Sequence, residues 1–469
     1  MTVQEWLGYS NQLGVDIWER KYKYENESFD EWIARVSGGN GTIAELIKEK
    51  KFLFGGRILA NRGLENKGRK ISLSNCYVIE PPEDNIESIF DCAKKLARTY
   101  SYGGGCGVDI SKLAPKGARV NNAAKETTGS VSFMDLYSMV TGLIGQNGRR
   151  GALMLSLSCE HPDLEEFIGI KSDLDRVTKA NISIRITDKF MAAVKNKIPF
   201  TLSFTRLETG ETITKEIDAY KMFHKMCEMN WDYAEPGMLF WDRINNWNLL
   251  SCDDEFEYAG TNPCAEEPLP AGGSCLLGSI NLAEFVCETG FDFAGFKYCV
   301  KEAVVALNEV LDEGLPLHPL KEQRESVYDW RQIGLGIFGL ADLLIKLGIK
   351  YGSPEAIDLC DMIGHTMADT AIKTSAILSK AQDGPYPKYK PEAVEQSAFY
   401  SKNALGETKE LVEAFGLRNS QLLTIAPTGS LSTMLGVSGG IEPIFANYYT
   451  RKTESLKGHD EYYKVYTPI

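Results

Sequence analysis

The 469-residue chain has no C-x-x-C pair and only five histidines, which argues against the common structural zinc sites with their short ligand spacings. No stretch approaches 18 consecutive apolar residues, so no membrane-spanning helix is expected. The opening residues, MTVQEWLGYSNQLGVDIWERKYK, lack a basic stretch followed by an apolar one. No secretory signal is therefore expected, and a cytoplasmic location follows as an expectation. Positive charge is in deficit, with 51 Lys+Arg against 64 Asp+Glu and a net charge of −13. That balance excludes a broad nucleic-acid footprint, because binding a phosphate backbone needs a basic face. Internal repeats, low-complexity tracts and obvious flexible linkers are also missing. The eleven cysteines do not read as a disulfide scaffold in a leaderless chain of this length. They are buried thiols, or a few of them do chemistry.

With 43% hydrophobic residues, the chain can bury a large core. Its length fits about three domains or one α/β barrel with attachments. Residues 1–50 read as helical, with Trp6, Ile17, Trp18 and Ile33 on apolar faces. Beyond residue 72, short apolar runs alternate with helical patterns. Residues 75–80, 152–157, 181–186 and 422–427 read as strands. Helices are expected over 86–100 (apolar at Ile86, Ile89, Phe90 and Leu96), 130–144 (capped by Ser130 or Ser132), 296–314 and 357–381 (starting after Ser353). This alternation predicts a parallel α/β architecture in one continuous catalytic domain. Glycines cluster at 103–107, 145–151, 272–278 and 436–440, where strands should end and α/β proteins build ligand sites.

The segment TNPCAEEPLPAGGSCLLGSINLAEF (261–285) is the most informative. Pro263 biases Asn262 toward an extended conformation. In an extended stretch, residues two apart project to one side, so Asn262, Cys264 and Glu266 would share a face. The amide can orient hydroxyls and the carboxylate can remove a proton. The thiol can act as a nucleophile or lose a hydrogen atom. Cys275 follows a Pro/Gly-rich bend that could return it toward Cys264. The plainer reading is a loop with two incidental cysteines. Farther on, PTGSLS (427–432) stands at a strand-to-helix junction. Free N–H groups there, with the Thr428, Ser430 and Ser432 hydroxyls, could cradle a phosphate or simply cap a helix.

N-P-C-x-E followed by S-C-x-L-G-S-I-N-L resembles the large catalytic subunit of ribonucleotide reductase, most closely its adenosylcobalamin-dependent class. Other blocks fall in the family's order: LSNCYVIE (73–80), YGGGCGVDISKLAPKGA (102–118), GRRGALM (148–154), HPDLEEFI (161–168), WRQIGLGIFGLADLL (330–344) and IAPTGSLS to SGGIEPIF (425–445). The resemblance covers about residues 50–450. It implies a ten-stranded α/β barrel with a central finger loop carrying Cys264 at its tip. Residues 1–50 would be a short N-terminal helical segment without an ATP-cone domain, and 51–469 the catalytic barrel with its effector loops.

By the same resemblance, Cys264 forms a thiyl radical that takes the 3′-hydrogen of a ribonucleotide. Glu266 accepts the 3′-hydroxyl proton, and Asn262 holds the 2′/3′ hydroxyls. Cys76 and Cys275 supply the reducing electrons by forming a disulfide, which an external dithiol such as a thioredoxin-like protein re-reduces. Thr428, Gly429, Ser430 and Ser432 hold the substrate's phosphates. A deoxynucleoside triphosphate or ATP effector would occupy loops 119–129 and 145–151, with Asp84, Arg119, Arg149 and Arg150 as its contacts. Adenosylcobalamin is the implied radical source, and a separate metal-containing subunit is the alternative; no protein metal site is implied. The substrate would be a ribonucleoside di- or triphosphate and the assembly a homodimer.

Two departures from the family pattern stand out. The sequence stops at Ile469, soon after the I-E-P segment, where relatives usually continue into further barrel strands and a cysteine-bearing tail. The barrel is therefore expected to be minimal or incomplete. An inactive nucleotide-binding relative acting in assembly is a further reading. Against it, Asn262, Cys264, Glu266, Cys76 and Cys275 are all present. Tyr462-Tyr463 resemble the family's paired relay tyrosines, but in the wrong context. The remaining cysteines read as core or surface thiols, Cys106 has no assigned role, and His161 reads as a helix cap rather than a metal ligand.

Overall fold

In a computed structural model, the structure describes residues 1–120, 123–144, 151–207, 209–382, 384–453 and 459–467. The chain divides into two compact units: Met1–Asn75, Ser274–His318 and Arg324–Ile469 form one, and Cys76–Gly273 with Pro319–Gln323 form the other.

The second unit is built on five parallel strands, ordered Cys76–Val78, Gly105–Asp109, Leu153–Ser158, Asn181–Ile186 and Gly237–Phe240. Sheet order follows chain order, so each connection is a crossover, and helices fill them. Gly105–Asp109 is buried throughout, as expected of a parallel strand covered on both faces. The helix Ile86–Ser101 starts where the Asn85 side chain accepts the Ser88 N–H at 2.8 Å. Its inward stripe is Ile89, Cys92, Ala93, Leu96 and Tyr100. Ile86 and Phe90, expected on that stripe, are more than half exposed; they fall on the helix's other side. The helix Ser130–Leu143 corrects a second expectation. Neither serine hydroxyl caps it: Asp163 does, accepting both the Ser130 N–H (3.0 Å) and its Oγ–H (2.9 Å). His161 fixes this carboxylate's backbone, since its Nδ1 accepts the Asp163 N–H at 3.1 Å while Nε2 faces the Leu113 carbonyl at 2.9 Å. Burial lowers the imidazole's pKa, consistent with a neutral ring.

In the first unit, Leu277–Asn281 pairs antiparallel with Phe52–Phe54 and parallel with Gly334–Phe338. Long helices pack beside this sheet. Phe293–Gly314 is capped by Asp292, and Pro354–Ala381 by Ser353 with proline in its first turn. The 422–427 run is not a strand. It lies along Gly334–Phe338 through Leu335 N–H to Leu422 O (2.9 Å) and Thr424 N–H to Leu335 O (3.1 Å), but only Leu335 and Leu423 form a bridge. Pro427 then ends any ladder because it has no N–H to give. The N-terminal residues fold into this unit as short helices around Trp6, Trp18, Phe29 and Trp32, whose ring centroids lie 5.0–6.1 Å apart. No helix among the described residues is long and apolar enough to cross a membrane.

One glycine in the second unit has no room to change. A methyl added at Gly107 would overlap the Thr261 carbonyl oxygen, which is backbone and cannot swing aside. Gly107→Ala is expected to cost about 3 kcal/mol, an overpacking penalty against main chain. Urea unfolding measures it, and a loss below ~0.5 kcal/mol would show that the two segments are not in contact.

Candidate active site

The segment around Cys264 is a hairpin tip rather than an extended run. Gly260–Thr261 pairs antiparallel with Pro268–Leu269, and the chain reverses between them. The Asn262 N–H reaches Glu267 O at 3.2 Å, and the Ala265 N–H reaches Asn262 O at 3.0 Å. Ala265 takes a left-handed conformation, φ 68°, unusual for a residue with a Cβ. The buried Asn262 side chain closes the loop in both directions. Its Oδ1 accepts the Glu267 N–H at 3.1 Å, and its Nδ2–H donates to Glu266 Oε2 at 2.6 Å. The expected one-sided i, i+2 array is thus replaced by a turn. Asparagine favours it because its side chain mimics a peptide group in tight turns.

The tip is held to the ends of the sheet. Asn181 Nδ2 donates to the Pro263 carbonyl at 3.0 Å, and Thr261 lies against Gly107. A methyl placed on Gly105 would meet Pro263 Cγ at 3.0 Å and Cys76 Sγ at 3.1 Å. The half-buried Cys76 thiol and the hairpin tip therefore flank the same glycine. Asn262, Cys264, Glu266 and Cys76 gather within this unit, although Cys76 is far from the others in sequence.

Cys264 is solvent-exposed at the tip, yet its thiol is pushed up to about 11, first by the desolvation of the surrounding protein and then by the Glu266 carboxylate. Burial also raises the Glu266 pKa, with the Asn262 amide opposing it. The thiol thus keeps its hydrogen at neutral pH, and the carboxylate is a better base than a free one.

Cys275 belongs to the first unit. It is buried, and its carbonyl accepts the Asn75 N–H at 3.0 Å. That unit also holds the 427–440 loop. Thr428, with φ 51°, precedes the seven-residue helix Gly429–Leu435. Its hydroxyl accepts the Gly440 N–H at 3.1 Å, which leaves its own hydrogen to donate. Ser432 and Gly429 line a groove of about 210 Å³ with Thr433, Ser438, Gly439 and Arg451. Ser430 Oγ accepts from Lys21 Nζ at 3.0 Å. Lys21 and Arg451 stand in no motif block, and Thr433 falls in the unspecified stretch between the two halves of the 425–445 block.

Of the expected effector contacts, Asp84 and Arg119 come together in the second unit through a residue the sequence reading missed. Arg206 pairs with the Asp84 carboxylate at 2.9 Å and donates to the Arg119 carbonyl. The other Asp84 oxygen accepts the Ala114 N–H at 3.0 Å. Arg149 and Arg150 lie outside the described residues. So does most of the 145–151 loop. No cluster of three potential metal ligands occurs among the described residues.

A sequence model of the family described as "Ribonucleotide reductase, barrel domain" matches residues 74–466. The chain belongs to this family. Among similar curated proteins are two named vitamin B12-dependent ribonucleoside-diphosphate reductases. One, from Thermoplasma acidophilum, is 36% identical over 83% of this chain and 48% of its own length. The other, from Mycobacterium tuberculosis, is 32% identical over 92% of this chain and 57% of its own length. A ribonucleoside-diphosphate reductase subunit alpha from Chlamydia trachomatis is 28% identical over 84% of this chain and 42% of its own length. The chain spans about half the length of the curated relatives it matches.

The raised thiol can be measured without any substrate. Alkylation of Cys264 by iodoacetamide, followed by peptide mass spectrometry, should accelerate about tenfold per pH unit from pH 8 to 10, because the thiolate fraction is still climbing. A rate already level at pH 9 would contradict an environment that disfavours the charged sulfur.

Proposed function

We propose that the chain is the catalytic part of a ribonucleotide reductase that makes 2′-deoxyribonucleotides by thiyl-radical chemistry, in a ten-stranded barrel with the 260–269 hairpin as its finger loop. The observation that carries this reading is the Asn262–Glu266 bond beside Cys264, with the Cys76 thiol flanking the same hairpin tip. Cys264 loses its hydrogen atom, and the resulting thiyl takes the 3′-hydrogen of the ribonucleotide. Glu266 accepts the 3′-hydroxyl proton while Asn262 orients the sugar hydroxyls. The 2′-hydroxyl leaves as water. Cys76 and Cys275 give two electrons and two protons and close a disulfide, and the 3′-hydrogen returns from Cys264. An external dithiol then reopens the disulfide, as a labile redox pair requires.

The names of the relatives support adenosylcobalamin as the radical source and a ribonucleoside diphosphate as substrate. Bound, the cofactor supplies a carbon-centred radical. The exposed, protonated Cys264 thiol fits that role, since it presents a transferable hydrogen at the hairpin tip. A separate radical-generating subunit is the second reading, favoured by the similarity to a reductase subunit alpha. The Asp84–Arg206–Arg119 cluster supports a deoxynucleoside triphosphate or ATP effector site, which in this family accompanies a homodimer. The groove by Ser432 supports a phosphate site.

The chain should be assayed with each ribonucleoside diphosphate, an effector, a dithiol and adenosylcobalamin, with no partner protein. Deoxyribonucleotide formation is expected. Activity only on adding a metal-containing subunit would select the second reading, and none under either condition would favour an inactive relative. Cys264→Ser should lower turnover to below about one percent while leaving effector binding intact, and larger residual turnover would remove the thiyl role. Cys76→Ser should stop after at most one turnover per chain, and sustained turnover would remove Cys76 from the redox pair.

A further inference from the structure

Two cations from opposite ends of the chain sit on the helix beside the groove just described. Lys21 Nζ donates to Ser430 Oγ at 3.0 Å, and Arg451 Nη1 donates to Thr433 Oγ1 at 2.9 Å. Ser430 and Thr433 are three residues apart, so their side chains lie on one face of the Gly429–Leu435 helix. We propose that Lys21 and Arg451 are the charged groups that hold the nucleotide's phosphates here, an inference that rests on the phosphate role proposed for the 427–440 loop.

The placement of Lys21 is over-determined. It stands on a π-helical turn, Trp18–Tyr22, whose two ends are buried aromatic rings; such turns recur at functional sites. The preceding helix, Gln12–Ile17, grips the far end of the same groove-side helix. Asn11 Nδ2 donates to Met434 O at 2.8 Å, and a methyl added at Gly14 would collide with that carbonyl. Tyr463, from the strand Glu461–Tyr466, donates its hydroxyl to the buried Asp16 carboxylate. The strand Tyr448–Thr453, which pairs with it, carries Arg451. Both cations are therefore set by backbone packing rather than by one flexible contact.

Charge explains why they are needed. The chain is net −13, and Asp342 and Glu442 line the groove alongside Arg451. One carboxylate is held, because Asp342 Oδ2 accepts the Ser438 N–H at 2.7 Å, but its charge remains. Two carboxylates against one arginine would repel a phosphate, and Lys21, bonded to Ser430 on the adjoining helix, adds a second positive charge beside the groove. The helix has only two turns, so side-chain charge must do most of the attracting. A phosphate offers each cation an oppositely charged acceptor in place of a neutral hydroxyl, and ion-to-ion hydrogen bonds of this kind are among the strong ones.

The test is calorimetric binding of cytidine diphosphate, inorganic pyrophosphate and cytidine to the full chain and its variants, with thermal melting in parallel. Lys21→Met and Arg451→Met should each weaken diphosphate and pyrophosphate binding about tenfold, leave cytidine unchanged and reduce the salt dependence. Lys21→Gln keeps a donor for Ser430 without the charge. It should match Lys21→Met if charge is what matters. If Lys21→Gln binds like wild type, or neither Met variant weakens binding while Ser432→Ala does, the cation inference falls and the phosphate loop stands. If wild type ignores pyrophosphate and Ser432→Ala leaves diphosphate binding unchanged, the loop reading itself falls and this inference with it.

Discussion

One side-chain amide sets the geometry on which the chemistry depends. Asn262 is buried at the base of a six-residue reversal and spends both ends of its amide on it, accepting from the Glu267 N–H and donating to the Glu266 carboxylate. Those bonds add to the strand pairing and sheet contacts that hold a turn containing a proline and a left-handed alanine, since such backbone persists only where its surroundings over-determine it. With them, Glu266 is fixed beside Cys264. Desolvation raises both groups, and the carboxylate raises the thiol further. A neutral S–H next to a strengthened base suits hydrogen-atom transfer coupled to removal of a hydroxyl proton. It does not suit thiolate attack, which needs a lowered thiol pKa.

The sheet of the second unit serves this hairpin. Three of its strands touch or bind it at defined points: Cys76 and Gly105 by the flanking thiol and proline, Gly107 by close backbone approach, and Asn181 by a side-chain bond. Glycines at 105 and 107 are needed because the hairpin packs directly on the strand's backbone, where a Cβ would stand in its way. Cys76, Gly105 and Asn181 are the first residues of their parallel strands, so the chain order of the sheet brings them together at its amino-terminal edge.

Much of this was legible in the sequence. The strands at 75–80, 152–157 and 181–186 and the long helices were signalled by apolar runs and periodicity and, at Ser353, by a capping serine, which are local effects. The chemical identities of Asn262, Cys264 and Glu266 were plain from their motif. Their arrangement was not, because an asparagine before proline is compatible with either an extended run or a turn, and tertiary contacts with Gly107 and Asn181 choose between them. The 422–427 run misled for a related reason: its residues are strand-forming, but Pro427 and the left-handed Thr428 end the pairing. Asp163 capping Ser130, Arg206 pairing with Asp84, and Lys21 reaching Ser430 span 33, 122 and 409 positions. No local pattern encodes such partners. Membership of the ribonucleotide reductase family was readable because its motif blocks are collinear.

The account's central claim is that the Cys264 sulfur takes hydrogen from the sugar's 3′ carbon. The most direct measurement is competition between a 3′-deuterated ribonucleotide and its unlabelled form in a reconstituted reaction. The account predicts that the unlabelled form is consumed preferentially, and that product from the labelled form keeps deuterium at the 3′ carbon because the same sulfur returns it. Equal consumption of the two, with deuterium lost to water, would contradict it.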